Sequence, residues 1–469
     1  MRIHLIGVAG TGMSALAALL TESGHEISGS DTAFDPPVGP YLHELGVECL
    51  EGWNAENLRA EPDLVVVGNV CRRDNPEAQE AMARGLRTVS MPGALADELL
   101  SRRRPFVVAG THGKTTTATL TAYLLRSVGV DAGFFIGGIP ANFERSSRLG
   151  SEGEPFIIEG DEYDSAFFEK TPKFWHYRPA SAIITSIEYD HVDIYPDERA
   201  YLAAFQEFVM RIPADGWLFA WAGDPNVRAV AREARCQVRF YALDGDDCGD
   251  IQPMWLGMPT PGGAMDLFGG GSLCGRASMP LIGKHNARNT VAALAMAAEA
   301  GGAPLDRLIA ALPGFRGSKR RQELVGITNG VQVYDDFAHH PTAVRETLLG
   351  FRERAQGRLI AVFEPRSATA SRRLHQEMYP DAFGAADISI LAPVGRSEVA
   401  AEEKLDTGAI AAILRARGRQ AHACSSVEEV VEAATAAAKA GDIIVVMSNG
   451  RFDDAPDRIL LALMGGRTA

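Results

Sequence analysis

The sequence contains 469 residues, of which 46% are apolar and 23% are charged, a composition typical of folded globular proteins. At about 150 residues per domain, this length predicts roughly three domains. The 46 basic and 60 acidic side chains give a formal net charge of −14. This charge argues against a protein that coats nucleic acid or an anionic membrane, because phosphate binding requires a basic surface. We therefore expect any anionic substrate to bind in a local basic pocket.

The cysteines and apolar runs predict the compartment. The six cysteines lie far apart without a CxxC pair, which is typical of thiols in a reducing compartment and not of a disulfide framework or a zinc site. The apolar run near the N-terminus is interrupted by Gly7, Gly10 and Gly12, unlike a signal peptide. Other apolar runs are far shorter than the ~20 residues that span a bilayer. We expect a soluble cytoplasmic protein that neither binds nucleic acid nor inserts into a membrane.

Short β-rich apolar runs alternate with Ala/Leu-rich helical stretches, the pattern of parallel α/β domains. We predict three such domains, with boundaries 1–104, 105–314 and 315–469. A glycine-rich stretch near residues 259–275 is expected to form hairpins or a surface loop. The predicted strands are residues 2–6, 25–31, 63–69, 106–109, 155–159, 181–187, 331–337, 358–364, 387–393 and 442–448.

The strongest chemical motif lies directly between a predicted strand and a predicted helix. Such a loop presents backbone N–H groups and a helix N-terminus to phosphate oxygens. Lys114 would neutralise the β- and γ-phosphates, and the Thr115 hydroxyl would hold Mg²⁺. The full P-loop pattern requires glycine at the position of Val108, so this is a shortened GxxGKT loop. It predicts an ATP site formed by Gly110, Thr111, His112, Gly113, Lys114, Thr115 and Thr116.

A second glycine-rich turn follows the first predicted strand. Its GxxGxG spacing differs from the dinucleotide fingerprint GxGxxG, and a purely structural turn is an equal alternative. Asp31, at the end of the next strand, could reach a ribose hydroxyl. We predict a second ligand that carries a diphosphate, bound in a separate domain by Gly7, Gly10, Thr11, Gly12, Met13 and Asp31.

Two acidic clusters follow predicted strands, one at residues 159–165 and the other at 188–193. Both lie at carboxyl ends of strands, the edge where α/β sheets bind ligands. A solvated loop would also be acidic. Because carboxylates beside an ATP loop are expected Mg²⁺ ligands, we predict that Glu159 and Glu162 join Thr115 in binding the metal.

The third block ends a strand with Asp335 and Asp336, followed by His339 and His340. Packing alone does not explain two acids and two imidazoles at one strand end, and Thr342 is a good candidate N-cap for the next helix. Arg366 and Ser367 follow the next strand, and arginine suits bidentate recognition of a carboxylate. In the linker, Arg321 could reach a phosphate. Residues 283–289 are best explained as the start of a helix, although His285 and Asn289 could contact a base or ribose.

The motifs together resemble the Mur ligase family, the ATP-dependent enzymes that build the peptide of peptidoglycan precursors. The resemblance covers the whole chain in the order typical of the family. It implies a Rossmann-like first domain that holds the UDP of a sugar nucleotide, a central P-loop ATPase domain and a Rossmann-like last domain that binds an amino acid or peptide. The matching segments are GVAGTGM, GTHGKTTT, EGDEYDS, EYDHVD, GKHNARN, FRGSKRR and YDDFAHHPT.

The resemblance also implies roles for single residues. It adds Asn69 to the UDP-sugar site, and it adds His191 to the metal ligands and to the catalytic residues. The peptide would be bound by His339, Arg366 and Ser367. The implied catalytic residues are Lys114, Glu162, His191, Asp336 and His340.

Within the family, the sequence resembles the branch that acts on UDP-N-acetylmuramate itself. The amine substrate is then either L-alanine or an intact L-alanyl-γ-D-glutamyl-meso-diaminopimelate tripeptide. Three segments favour the tripeptide. They are Gly68-Asn69-Val70 in place of a Ser-Ser motif, Pro36-Pro37 after Asp31, and the sequence FEPRS at residues 363–367.

One feature separates this chain from other branches of the family. Several Mur ligases carry a carbamoylated lysine that bridges to a metal, whereas the segment from Asp197 to Met210 contains no lysine and has Gln206 near the expected place. The ligands of a second Mg²⁺ are therefore left open.

The implied reaction joins an acid to an amine through an acyl phosphate. The amine must be neutral to attack, and His340, His339 and Asp336 are all candidate bases. Hinges are expected near Arg104 and Pro313. Two rival functions explain less: an NAD-dependent oxidoreductase leaves the GTHGKTTT loop without a role, and a nucleotide sensor without catalysis does not require Lys114 and Glu162.

Overall fold

The computed structural model describes residues 1–396 and 399–465. The chain forms two compact units. The first contains residues 1–189, 197–278 and 288–316, and the second contains residues 190–196, 279–287 and the chain from residue 317 onward. Three main sheets, two in the first unit and one in the second, confirm the predicted α/β fold class. Among the described residues, no helix is both long and apolar enough to cross a membrane.

The first sheet is parallel throughout, with the strand order β3-β2-β1-β4-β5 that is typical of doubly wound folds. The strand predicted at 63–69 is the fourth strand and not the third, because the sequence prediction missed β3. It also missed β5. Both are very short and only partly buried, so they carry no apolar run. The elements are β1 (Arg2–Ile6), α1 (Thr11–Glu22), β2 (Glu26–Asp31), α2 (Val38–Glu44), β3 (Glu48–Glu51), β4 (Leu64–Val67), α3 (Pro76–Ala83), β5 (Thr88–Ser90) and α4 (Met91–Ala94).

The second sheet has ten strands in the order β17-β16-β15-β14-β13-β12-β6-β9-β7-β8. Its centre is parallel, and antiparallel strands extend both edges. The glycine-rich stretch forms hairpins, as predicted. The elements are β6 (Arg104–Ala109), α5 (Lys114–Ser127), β7 (Gly133–Phe135), β8 (Ser147–Arg148), β9 (Pro155–Gly160), the separate hairpin β10 (Asp164–Ala166) and β11 (Glu169–Pro172), β12 (Ser181–Ile184), α6 (Glu198–Met210), β13 (Trp217–Trp221), α7 (Pro225–Ala231), β14 (Gln237–Leu243), β15 (Trp255–Thr260), β16 (Ala264–Gly269), β17 (Ser272–Ser278), α8 (Lys284–Ala295) and α9 (Leu305–Ala311).

The third sheet has the order β18-β19-β23-β20-β21-β22, and only β18 is antiparallel to its neighbour. The four predicted strands are present as β19, β20, β21 and β23. The sequence missed β18 and β22, which are mostly solvent-facing. The elements are β18 (Glu323–Thr328), β19 (Val331–Asp336), α10 (Pro341–Arg354), β20 (Leu359–Phe363), α11 (Tyr379–Ala382), β21 (Ile388–Leu391), α12 (Thr407–Ala416), β22 (Gln420–Ala423), α13 (Val427–Ala437), β23 (Ile443–Met447) and α14 (Ala455–Gly465).

A buried carboxylate ties the first sheet to α3. Glu77 is fully buried, and its oxygens accept hydrogen bonds from the side chains of His4 at 3.0 Å, Ser30 at 2.5 Å and Asn57 at 2.6 Å and from the backbone N–H of Asn54 at 3.0 Å. Burial by itself would raise the pKa of Glu77, but the hydrogen bonds from His4 and Ser30 hold it below the ordinary value. The carboxylate is therefore a charged junction between two strands, a helix and a loop.

We expect Glu77→Ala to destabilise the fold around the first sheet by about 3–5 kcal/mol, because it leaves several buried donors without an acceptor. The folded pKa of Glu77 lies below the ordinary 4.5, so this contribution is present above that pH and is lost as the pH falls through the folded pKa. Urea unfolding at neutral and acidic pH measures both effects. Glu80→Ala on the same helix, where the side chain is only partly buried, is the matched control; equal stability of the two variants would contradict the role of Glu77.

Candidate active site

The predicted phosphate loop joins β6 to α5. Gly110 and Gly113 have φ values of +129° and +80°, a region that disfavours other residues. A Cβ atom on Gly113 would lie 2.7 Å from Oδ1 of Asn289, and one on Gly110 would overlap the Thr185 hydroxyl. Val108 is a fully buried residue of β6, so the loop begins after Ala109 and is shorter than the longer pattern.

The loop is held by the residues that follow β12. The backbone N–H of Thr111 donates to the carbonyl of Ser186 at 2.8 Å, and the Thr111 hydroxyl donates to the carbonyl of Glu188 at 3.0 Å. The Nε2 atom of His112 lies 2.6 Å from a carboxylate oxygen of Glu188. The Thr185 hydroxyl donates to the carbonyl of His112 at 2.5 Å. These bonds hold the loop in one conformation, as a phosphate-binding site requires.

Lys114 forms a buried ion pair with Glu162. Its Nζ atom lies 2.9 and 2.7 Å from the two carboxylate oxygens, and the side chains are 13% and 0% exposed. Burial by itself would lower the pKa of Lys114, but the charges of Glu162 and Asp161 raise it above its ordinary value. The Tyr201 hydroxyl, 3.4 Å from Glu162, is a further neighbour. Lys114 is therefore a fixed cation at the first turn of α5.

The predicted metal ligands of the first unit lie close together. The Thr115 hydroxyl donates to Oε1 of Glu159 at 2.8 Å, while Oε2 of Glu159 accepts from the backbone N–H of Gly137 at 2.9 Å. Glu162 is bonded to the neighbouring Lys114. A hydroxyl and two carboxylates are the oxygen donors that Mg²⁺ prefers, so this set fits the implied metal.

The other residues predicted for ATP and metal are distributed over both units. Asn289 lies beside Gly113 in the first unit, and Thr116 is buried in α5. His191, His285 and Arg321 belong to the second unit. The guanidinium of Arg321 lies 4.5 Å from the centre of the Phe337 ring.

The first glycine turn is closed by Asp31. One carboxylate oxygen accepts from the backbone N–H of Ala9 at 2.9 Å and the other from that of Thr32 at 2.8 Å. The N–H groups of Gly7 and Val8 donate to the carbonyl of Ser30. The described contacts of Asp31 thus shape the turn at the start of α1. The sequence had predicted a contact between Asp31 and a ribose hydroxyl.

The remaining residues predicted for this turn lie around it. Gly10 donates to the carbonyl of Gly7 at 3.2 Å, Thr11 is exposed, and Met13 is buried in α1. Asn69 is exposed just after β4. The carboxyl ends of β1, β2 and β4 therefore bring the predicted UDP-sugar residues to one edge of the first sheet.

Three candidate bases lie near the end of β19. The carboxylate of Asp336 accepts from the backbone N–H groups of Gln322 and Ala338, both at 2.9 Å. The Nδ1 atom of His340 accepts from the backbone N–H of Thr342 at 3.3 Å, so His340 is the N-cap of α10 and the prediction of Thr342 was wrong. Asp336 and His340 thus both fix the backbone around this strand end.

The tautomers of the two histidines follow from these bonds. Because Nδ1 of His340 accepts, a neutral His340 carries its proton on Nε2. The Nδ1 atom of His339 lies 3.0 Å from the carbonyl of Phe337, which only accepts, so a neutral His339 carries its proton on Nδ1. The acceptor nitrogen of His339 is therefore Nε2.

Arg366 and Ser367 follow β20 as predicted. A guanidinium nitrogen of Arg366 lies 3.3 Å from Glu364, and the side chain is 42% exposed. The Ser367 hydroxyl oxygen accepts from the backbone N–H of Ala370 at 2.9 Å. Arg366 thus presents a half-exposed cation, and Ser367 shapes the loop behind it.

Asp190 belongs to the second acidic cluster but had no individual predicted role, and it is buried in the second unit. It accepts hydrogen bonds from the Thr369 hydroxyl and, at 2.7 Å, from the backbone N–H of His191. Burial by itself would raise the pKa of Asp190, but the charges of His191 and His339 hold it far below its usual range. Neither its neighbour Thr369 nor Tyr201 lies in a motif that would have predicted a role. Both residues reach the site residues that they contact only through tertiary packing.

Comparison with known proteins identifies the family. Three family models match: Mur ligase family, catalytic domain, at residues 2–103; Mur ligase middle domain at 108–297; and Mur ligase, glutamate ligase domain, at 320–450. The UDP-N-acetylmuramate–L-alanyl-γ-D-glutamyl-meso-2,6-diaminoheptandioate ligase of Escherichia coli K12 is 37% identical over 98% of each chain. A UDP-N-acetylmuramate–L-alanine ligase of Rubrobacter xylanophilus is 36% identical over 84% of each. The crystal structure of a murein peptide ligase from Psychrobacter arcticus is 35% identical, covers 99% of each chain and gives a TM-score of 0.72. The chain therefore belongs to the Mur ligase family, as its motifs predict.

Proposed function

We propose that this member of a family of ATP-dependent, amide-forming ligases joins UDP-N-acetylmuramate to the tripeptide L-alanyl-γ-D-glutamyl-meso-diaminopimelate in peptidoglycan recycling. The observation that carries the ligase chemistry is the fixed Lys114 cation beside Thr115 and Glu159 at a strand-to-helix turn. The tripeptide is favoured by the three sequence features given above and by the whole-length similarity to the E. coli tripeptide ligase. We place the reaction in the cytoplasm.

In the proposed ATP site, backbone N–H groups of the loop and Lys114 bind the phosphates. Thr115, Glu159 and Glu162 would hold Mg²⁺, assisted by His191, and the metal supplies neutralisation of phosphate charge. An incoming phosphate competes with Glu162 for Lys114, so nucleotide binding would free this carboxylate for the cation. The proposed phosphate, base and ribose contacts are Gly110, Thr111, His112, Gly113, Thr116, His285, Asn289 and Arg321.

The two other substrates are assigned to the other proposed domains. We propose boundaries of 1–104, 105–314 and 315–469, with UDP-N-acetylmuramate in the first domain and the peptide in the last. Arg366 would bind a peptide carboxylate. This assignment is supported by its guanidinium, which is half-exposed and can form a bidentate pair with a carboxylate. The sugar nucleotide would contact Gly7, Gly10, Thr11, Gly12, Met13, Asp31 and Asn69.

The proposed reaction has two steps. The lactate carboxylate of the muramyl sugar attacks the γ-phosphorus of ATP, releasing ADP and forming an acyl phosphate, while Lys114 stabilises the charge on the transferred group. The peptide amine then attacks the acyl carbon. The C–N bond forms, the C–O bond breaks with release of inorganic phosphate, and the neutral amine gives up one proton to a base.

Among the three candidate bases, the described hydrogen bonds favour His339. Asp336 accepts from two backbone N–H groups, and His340 uses its acceptor nitrogen as a helix cap. A neutral His339 accepts through Nε2, because its Nδ1 donates to Phe337. We therefore assign proton removal to His339 and a structural or donor role to His340 and Asp336.

The tripeptide and L-alanine are distinguished by a product analysis. Purified protein is incubated with UDP-N-acetylmuramate, ATP and Mg²⁺ plus either amine, and the product mass is read. We expect the tripeptide adduct, with ADP and phosphate formed in equal amounts. An L-alanine adduct formed at the higher kcat/KM would support the alternative, a UDP-N-acetylmuramate–L-alanine ligase, which the similarity to the Rubrobacter enzyme keeps open.

We expect Lys114→Ala to lower kcat for ligation at least a hundredfold, because it removes a fixed positive charge from the transferring phosphoryl group. Binding of the UDP-sugar, measured by calorimetry, should be unchanged. The control is Lys170→Ala, which removes an exposed lysine paired with Asp164. Unaltered turnover of the Lys114 variant would refute the assigned ATP site.

A comparison of His339→Gln with His340→Asn tests which of the two histidines is the base. We expect kcat of His339→Gln to fall about a hundredfold, since Gln cannot accept the proton. His340→Asn keeps a capping side chain and should retain most of the activity. The reverse pattern between the two variants would assign the base to His340.

A further inference from the structure

A cavity of about 460 Å³ lies in the first unit, away from the phosphate loop. It is bordered by Pro105 at the amino end of β6 and by Ala180 just before β12, its parallel neighbour. The phosphate loop follows the carboxyl end of β6. Since a strand of six residues is about 20 Å long, the cavity and the loop lie at opposite edges of the sheet.

The lining of this cavity is cationic in an acidic protein. Arg103, Arg178 and Arg211 line it, and no Asp or Glu is found among the described residues that do so. The whole chain carries a formal charge of −14, so a surface of this sign is selective for anions. The apolar part of the wall consists of Ala96, Leu100, Pro105, Pro179, Ala180 and Pro213.

Arg103 supplies a fixed charge. Its Nε, Nη1 and Nη2 atoms donate to the carbonyls of Leu149, Leu99 and Gly150 at 2.9, 2.9 and 3.1 Å. It makes no salt bridge with any residue in the described ranges. A guanidinium has five N–H donors, so these bonds hold its plane and leave two donors.

The other two arginines are paired outside the lining. Arg178 lies 3.2 Å from Asp97, is 72% exposed and has a φ of +45°, an uncommon backbone conformation. Arg211 lies 2.9 Å from Glu207 and stacks 5.0 Å from the centre of the Trp175 ring. Both partners are partly exposed, so a bound anion can compete for these arginines at low cost.

Tyr177 supplies a further polar group to the lining. It lines the cavity and is 1% exposed overall, and its hydroxyl is not among the buried side-chain oxygens that lack a partner in the described residues. A polar group entering the cavity would lie near this hydroxyl.

We propose that this cavity binds a small organic anion, a phosphate or carboxylate on an apolar ring or chain, at a site separate from the ligase reaction. The anionic group contacts the three arginines, and the apolar body packs on the alanine, leucine and proline wall. Because Ala96 to Arg103 precede β6 and Arg178 to Pro213 follow it, the ligand would tie the end of the first domain to the central domain.

The test measures binding of phenyl phosphate to the full chain by calorimetry. We expect saturable binding that persists with a non-hydrolysable ATP analogue present and in Lys114→Ala. Inorganic phosphate and benzyl alcohol should each bind at least tenfold more weakly, since each lacks one half of the interaction, and benzoate should bind. No binding of phenyl phosphate at millimolar concentration, or complete competition by the ATP analogue, would overturn the proposal.

Variants locate the site. Arg178→Gln combined with Arg211→Gln should weaken phenyl phosphate binding at least tenfold. Arg276→Gln, which removes an exposed arginine paired with Asp266 outside the cavity, should leave it unchanged. Tyr177→Phe removes only a hydroxyl and keeps the buried ring, so it should fold normally and weaken binding severalfold. Unchanged affinity in both the double variant and Tyr177→Phe would show that the anion binds elsewhere.

Discussion

The buried ion pair between Lys114 and Glu162 is the interaction on which the central site depends. A charge pair of this kind is stable only with both partners present, because removal of one leaves the other charged in a buried place. The pair holds Lys114 at the first turn of α5 and Glu162 just after β9. The alignment of β6 with β9 therefore sets the geometry of the site.

The parallel pairing of β9, β6 and β12 places the remaining parts of that site. Glu159 and Gly160 in β9 pair with Val108 and Ala109 in β6. Ile184 in β12 pairs with the same Ala109, so the residues after it reach the loop and fix Thr111 and His112. Three buried strands thus deliver the phosphate loop, a proposed metal ligand and the loop anchors to one edge. The polar residues of the site are therefore positioned by the apolar strands that they follow.

The sequence predicts this part of the fold well, because each of these strands is a continuous apolar run. It fails for β3, β5, β18 and β22, whose half-exposed residues carry no such signal. It also missed β7, β8, β10, β11, β13 and β14, although β13 is a largely buried apolar run. The same limit applies to side chains. Lys114, Thr115 and Glu159 could be found from their motifs, whereas Tyr201 and Thr369 contribute through packing of distant segments. Thr342 was predicted as the helix cap from residue preference, but Pro341 at the first helical position makes His340 the capping residue.

The Glu77 junction has a consequence for how chains of this kind diverge. One carboxylate accepts hydrogen bonds from β1, β2 and the segment between β3 and β4. A change at any one of these positions therefore leaves a buried polar group without its partner. Exchange of His4, Ser30, Asn57 and Glu77 for apolar residues is feasible only as a concerted replacement. We therefore expect these four residues to be replaced together during evolution. Single substitutions at other positions of the first sheet should be tolerated far better than substitutions at these four.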